Sequence, residues 1–274
     1  NVVLPNALTV GNTVILAFNT GNYLDTGSFT NPVVSDNFGN TYNRAAAAIV
    51  GSLPLFLYYA QVTNTGAGPT TITINVGIGT RFNSYIIANA AEFNGILTPA
   101  AIDATNSYNG INLSDLVTFN TGIVYTSNPN DVLISVISGP LFGNAPVGWN
   151  LLTTISDNSS NDSGNTNQSL AYLQVNSINS YSPIWSNPIT NSGQFDVGIT
   201  VAFQLAPIIT LVPNYSGITG FTVQVTPPVI GISSTSILNL TLEGNVTYLS
   251  GDSFVTNNVV YLNNVNVGVI TINS

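Results

Sequence analysis

The sequence predicts an all-β protein of two β-sandwiches preceded by an N-terminal tail strand. Three observations predict it. Apolar and polar residues alternate at period two through much of the 274-residue chain. Helical periodicity is nearly absent. Clusters of Gly, Pro, Asn and Ser, such as "NTGAGPT", "TSNPND" and "SGPLFGNAPVG", cut the chain at short intervals.

The opening "NVVLPNALTV" places Val2, Leu4, Leu8 and Val10 on one face, with Asn6 among them. Pro5 lacks an N–H, which predicts a gap or bend in any ladder there. Two readings stand. The segment is an ordinary first strand of its own sandwich, or it is a donor strand that enters a groove of the next subunit by β-strand addition. Four buried aliphatics at about 1.5–3 kcal/mol each give roughly 6–12 kcal/mol before entropic costs, enough for a durable non-covalent link.

"RAAAAIV" is open between a helix, by Ala propensity, and an extended or irregular segment, by its neighbours. "LFLYYAQV", "SYIIANAAEF" and "DVLISVIS" are apolar on both faces and suit central strands. "TTITINV" points Ile72, Ile74 and Val76 inward. "FDVGITVAFQL" alternates longest, with Phe195, Val197, Ile199, Val201, Phe203 and Leu205 toward the core and Asp196, Gly198, Thr200, Ala202 and Gln204 away from it.

"QLAPIITLVPNYSG" reads as a domain junction, because Pro207 and Pro213 interrupt pairing. The expected organisation is a tail over 1–10, a first sandwich over 11–206 and a second over 207–274. In the second, Phe221, Val223 and Val225 alternate inward, as do Leu238, Leu240 and Leu242. Val265, Val267 and Val269 share a face, after which the phase shifts to Ile270 and Ile272; Gly268 at the shift predicts a β-bulge.

Composition excludes several functions. The chain has no Cys, His, Met or Lys, 11 acidic residues and two Arg, and a net charge of -9. No disulfide framework, thiolate or imidazole metal site or Ser-His-Asp triad can be built. No basic patch exists to displace counterions from nucleic acid. No apolar run reaches the ~18–20 residues of a membrane helix, so no membrane span is expected. The absent initiator Met predicts a secreted chain whose signal peptide has been removed. With so few charges, a fold that hardly uses ion pairs is expected to tolerate an acidic, even hot, medium.

"VSDNFGNTYNRA", followed by "LFLYYAQV", "TTITINV" and "AAEFNGI" with Asp103 shortly after, resembles a jelly-roll-like β-sandwich module of secreted microbial surface proteins. That resemblance covers roughly residues 8–206 and implies fold and extracellular address without chemistry. The whole layout resembles the thread-type pilins of archaea. It implies a jelly-roll-like sandwich, a smaller Ig-like sandwich, an N-terminal donor strand, N-glycosylation and assembly by donor-strand complementation.

Seven N-x-Ser/Thr sequons mark Asn112, Asn158, Asn161, Asn167, Asn214, Asn239 and Asn245 as candidate glycan carriers. With 39 Asn in the chain some arise by chance, but Asn239 and Thr241 face away from the leucines beside them, and "SDNSSNDSGNTNQS" reads as an exposed loop holding three. Asp157 and Asp162 in that loop suit a hard cation, although their spacing matches no EF-hand. Glu92 and Glu243, the only Glu, are the pair a glycosidase would need, yet they fall in different expected domains. Trp149 and Trp185 are either a sugar-binding platform or core aromatics.

The expectation is a secreted, N-glycosylated structural subunit of a cell-surface filament, with no catalytic residue, cofactor or metal. Its partners are other copies of itself, joined head-to-tail through Val2, Leu4, Leu8 and Val10. The alternative is a carbohydrate-binding or adhesive module on the same scaffold. A third option is an outer viral spike.

Overall fold

The structure is a computed structural model. It describes residues 1–20, 32–50, 53–76, 86–97, 99, 102–109, 118–139, 144–156, 167–186, 197–206, 208–213, 221–226, 258–262 and 265–270. Every regular element among these residues is a β-strand, and the paired strands run antiparallel. The chain divides into two compact units, one of Asn1–Pro207 with Pro227–Ile237 and one of Ile208–Thr226 with Leu238–Ser274.

The first half of the first unit holds β1 (Val2–Leu4), β2 (Thr13–Thr20), β3 (Val33–Asp36), β4 (Asn43–Val50), β5 (Leu53–Gln61), β6 (Thr70–Asn75) and β7 (Ile86–Phe93). They form a four-stranded sheet in the order β4-β5-β2-β7 and a three-stranded sheet in the order β1-β6-β3. β2 takes a central place because "TVILAFNT" is apolar on both faces, and all eight of its residues are buried. Val14, Leu16 and Phe18 pack toward the small sheet with Leu8, Val34, Phe56, Tyr58 and Ile72. "RAAAAIV" lies within β4 as a strand: its ladder with β5 overrides the helix propensity of alanine.

The second half holds β8 (Ile102–Asn109), β9 (Thr118–Asn120), β10 (Val124–Tyr125), β11 (Asp131–Gly139), β12 (Asn150–Ser156), β13 (Asn167–Val175), β14 (Ser180–Tyr181), β15 (Ile184–Ser186) and β16 (Val197–Gln204). Its main sheet runs β12-β13-β11-β16-β8, with β9–β15 and β10–β14 as two-stranded ribbons.

The two halves repeat one plan. The order β4-β5-β2-β7 recurs as β12-β13-β11-β16. Thr13 lies between Gln61 and Phe93, and Val132 likewise lies between Gln174 and Phe203. Each copy has a register shift at the same place, between Arg44 and Ala46 opposite Tyr58 and Leu57, and between Leu151 and Thr153 opposite Ala171 and Leu170. β6 is flanked by β1 and β3, while β15 is flanked by β9 and the bridged Asn144. The large sheets pack face to face through Ile15, Leu57 and Phe93 against Ile134, Leu170 and Phe203. Edge-on ring pairs Tyr59–Phe203 (5.5 Å) and Phe93–Tyr172 (5.8 Å) are mates across the pseudo-two-fold axis that this equivalence requires. An all-β, sandwich-like fold is thus present, and each of the two large sheets comes from its own half of the first unit.

β16 differs from expectation. Val197, Ile199, Val201 and Phe203 do enter the central core, but Gly198, Thr200 and Ala202 are buried too. The cause is a cover on the outer face of the sheet. Thr121 Oγ1 hydrogen-bonds Ser135 Oγ (2.7 Å) and Thr200 Oγ1 (2.8 Å), and the fully buried Trp185 donates from Nε1 to Ser135 Oγ (3.0 Å). Phe195 and Asp196 lie outside the described residues.

In the second unit β17 (Ile208–Pro213) pairs with β18 (Phe221–Thr226), and β19 (Asn258–Leu262) with β20 (Val265–Ile270). Pro213, expected to interrupt pairing, is instead the last paired residue of its strand, and Pro207 lies outside the described residues. Val260 pairs with Gly268 and Tyr261 with Asn266, so the register shift falls beside the glycine expected to mark a bulge. The expected strand with Leu238, Leu240 and Leu242 lies outside the described residues, as does much of the expected Ig-like sandwich. No helix among the described residues is long and apolar enough to cross a membrane.

Candidate functional site

The opening segment lies on its own chain. β1 pairs with β6 through Val2–Ile72, Val3–Thr71 and Leu4–Thr70. The strand stops at Leu4 and the chain bends at Pro5 and Asn6, where the proline has no N–H to give. Val2 and Leu4 are half-buried against the core beneath the small sheet, and Leu8 is buried at 4% exposure. Val10 departs from the expected face at 55% exposure. The reason is a tight turn: Asn12 N–H donates to Thr9 O (3.1 Å), and Gly11 takes a φ of 94°, a left-handed conformation that suits glycine.

Glu92 clamps that turn. Its Oε1 accepts from Thr9 N–H (2.7 Å) and from Asn12 Nδ2 (2.8 Å). Thr65 Oγ1 adds a bond to Leu8 O (2.6 Å). Val2, Leu4 and Leu8 therefore form one seated segment, fastened at residues 8–12 and held at residues 2–4 by only three residue pairs. The same place in the second half is taken by β9 on β15.

The "SDNFGNTY" stretch is a structural knot. Asp36 accepts from Phe38 N–H (2.9 Å), Asn40 N–H (3.1 Å), Asn40 Nδ2 (2.9 Å) and the Tyr42 hydroxyl (3.2 Å). Asn40 Oδ1 in turn accepts from Thr63 N–H and Asn64 N–H, both at 2.9 Å. Burial first, then the charge and hydrogen bond of Asp36, hold the Tyr42 phenol far above the ordinary tyrosine range.

The structure brings together one carboxyl pair that the sequence reading did not single out. Asp131 opens β11 and is fully buried, and neither of its oxygens accepts from an N–H or O–H of the described residues. It meets the carboxyl of Asp103, two strands away across β16. Burial first, then the hydrogen bond and charge of Asp103, push Asp131 up to about 8. Burial opposes ionisation of Asp103 as well. The hydroxyl and N–H of Ser127, Asp131 and the N–H of Asn128 outweigh it and hold Asp103 below the ordinary range. Such a split pair has the electrostatics of an acid–base dyad. Its geometry withholds substrate, because Asp131 has no exposed surface.

Asn167, the one sequon asparagine among the described residues, is 3% exposed in β13, between Gly139 and Ser156. A glycan has no room there in the folded chain, so Asn167 is withdrawn as a carrier. Asn112, Asn158, Asn161, Asn214, Asn239 and Asn245 lie outside the described residues, as do Asp157, Asp162 and Glu243. Among the described residues no three acidic side chains converge on a metal position. Trp185 is a core residue, and Trp149 packs half-buried against two of the cores.

Neither a protein-family model, nor a curated protein, nor a solved structure matches the chain.

Proposed function

We propose that the chain is a non-catalytic structural subunit of an extracellular, N-glycosylated cell-surface filament, polymerising head-to-tail with copies of itself by exchange of the strand in residues 1–10. The observation that carries this reading is the seat of β1: a three-residue strand at a sheet edge, next to a proline bend. When β1 leaves, β6 presents an open edge of matching register, and the same segment of a neighbouring copy fits it without any new contact. Leu8 contributes about 1.5–3 kcal/mol by burial in either arrangement, so the exchange is close to neutral per contact. Net association then rests on concentration at the cell surface and on contacts between bodies that the exchange brings together. A non-reciprocal exchange does not close, and it yields a filament.

The segments that lie outside the described residues carry the remaining sequons, which are the candidate glycan carriers. The test is whether a disulfide placed across the β1–β6 seat joins a chain to itself or to its neighbour.

A second reading, a carbohydrate-binding module, is favoured by the exposed rings of Tyr125 (71%) and Tyr108 (45%). Specific glycan binding by a monomer that never assembles would select it.

A further inference from the structure

β8 is an edge strand of the five-stranded sheet, paired among the described residues with β16. Its register shifts between the pairs Ala202–Ala104 and Phe203–Ile102, which leaves Asp103 without a ladder partner and turned to the preceding loop of β11. There its carboxylate accepts from Ser127 N–H (2.6 Å), the Ser127 hydroxyl and Asn128 N–H (3.3 Å). These bonds fasten the 126–130 turn to β8. On the other side of β16 stands Asp131, buried and without a donor.

We propose that Asp103 and Asp131 share one proton as a latch that holds β8 and the 126–130 turn on the sheet in acid and loosens them in alkali. An ionised Asp131 would be a buried anion beside a second anion, with no cation among the described residues shown to offset it, an arrangement that proteins avoid by protonation. A protonated Asp131 donates its O–H to Asp103 and gives both carboxyls a partner.

Asp131 stands opposite Val175 of β13 and Gln204 of β16, and the turn residues Ser127 and Asn128 bond its partner Asp103. Among the described residues Asp103 on β8 is the charge that acts on it. The other described charged side chains are engaged elsewhere: Asp36 in its turn, Glu92 on the tail, and Arg44 beside Tyr58.

The sign follows from the raised Asp131. Its stabilisation is complete below the unfolded carboxyl value near 4 and is lost as pH rises through about 8. The lowered Asp103 works the other way, and its contribution fades only as pH falls below the ordinary carboxylate range. Between those limits the native state holds one more proton than the unfolded chain, so the folding constant falls by up to about tenfold per pH unit. A divalent cation is the poorer occupant. Calcium takes about six to eight oxygens, and Asp103 already spends acceptor capacity on Ser127 and Asn128.

The experiment compares unfolding of the full chain and of its Asp131→Asn variant from pH 4.5 to 8.5, with amide exchange at 103–108 and 127–130. The amide of Asn keeps a donor toward Asp103 and cannot ionise. The latch predicts a steep loss of folding constant with pH in the native chain, a shallow one in D131N, and faster exchange in the native chain at pH 8.5. Parallel profiles overturn it. So does a calcium-dependent gain at pH 8.5 that D131N lacks, which would make the pair a metal site. Should D131N fail to fold, the infrared carbonyl band of a protonated carboxylic acid in the native chain decides. Its persistence at pH 7 supports the latch and its absence there refutes it.

Discussion

Gly198 lies on β16 beneath the cover that hides the outer face of the main sheet. A Cβ at this position would sit 2.7 Å from Thr121 Cβ and 2.9 Å from Phe119 Cε1, and closer still to Thr121 Cγ2. Gly198→Ala thus sets two effects against each other. Restricting the unfolded chain stabilises by about 0.4–1 kcal/mol, and an extra buried methyl adds roughly 0.8 kcal/mol. Overpacking costs about 1–3 kcal/mol. Pushing Thr121 aside also strains its bonds to Ser135 and Thr200, each worth about 1 kcal/mol. Overpacking and the broken network win, and the net loss is about 1–2 kcal/mol. For a unit of this size that lowers Tm by roughly 2–8 °C. Thr121→Ser removes the obstructing Cγ2 while retaining the hydroxyl, so the double variant recovers much of the loss. Calorimetry on the four members of the cycle reads the coupling. A Gly198→Ala variant as stable as the native chain, or strictly additive with Thr121→Ser, refutes the packing account.

Two further outcomes follow from named contacts. Glu92→Ala removes the acceptor of Thr9 N–H and Asn12 Nδ2, a loss of about 1.5–3 kcal/mol per charged bond before solvent screening. Amide exchange at Thr9 should rise about ten- to hundredfold, and unchanged protection would show that Glu92 does not hold the turn. Glycopeptide mass spectrometry of secreted material should find the peptide with Asn167 bare, because that side chain is buried; a glycan on Asn167 in folded protein contradicts the placement of β13.

Alternation made much of this fold legible. The inward Ile72 and Ile74 of β6, the two-faced apolar β5 and β11, and the break at Pro5 are local patterns, and local sterics fix them, whereas β7, expected to be central on the same signal, lies at a sheet edge. The repeat was not legible. Its copies share ladder order and a bulge while their side chains diverge, as where Asn19 and Ser138 occupy equivalent places and hydrogen-bond each other. β4 was ambiguous because alanine favours a helix locally and only the ladder with β5 decides. Val10 was misplaced because a single turn at Gly11 ends the alternation. The Glu92 clamp and the Asp103–Asp131 pair are contacts between distant segments, and no spacing rule announces them. The buried Asn167 shows that a sequon reports chemistry and not access.

The central claim is that residues 1–10 of one subunit occupy the β6 edge of the next. Val3 and Thr71 stand directly opposite, and Cα atoms so paired lie about 4.5–5.5 Å apart, within reach of a disulfide. The chain has no cysteine of its own, so a Val3→Cys, Thr71→Cys double variant forms only the intended bond. Filaments of this variant, imaged by negative stain, oxidised and run on a denaturing gel without reductant, should give a ladder of covalently joined chains. Filaments that dissolve into internally bridged monomers, or secreted material with no filaments at all, would contradict the account.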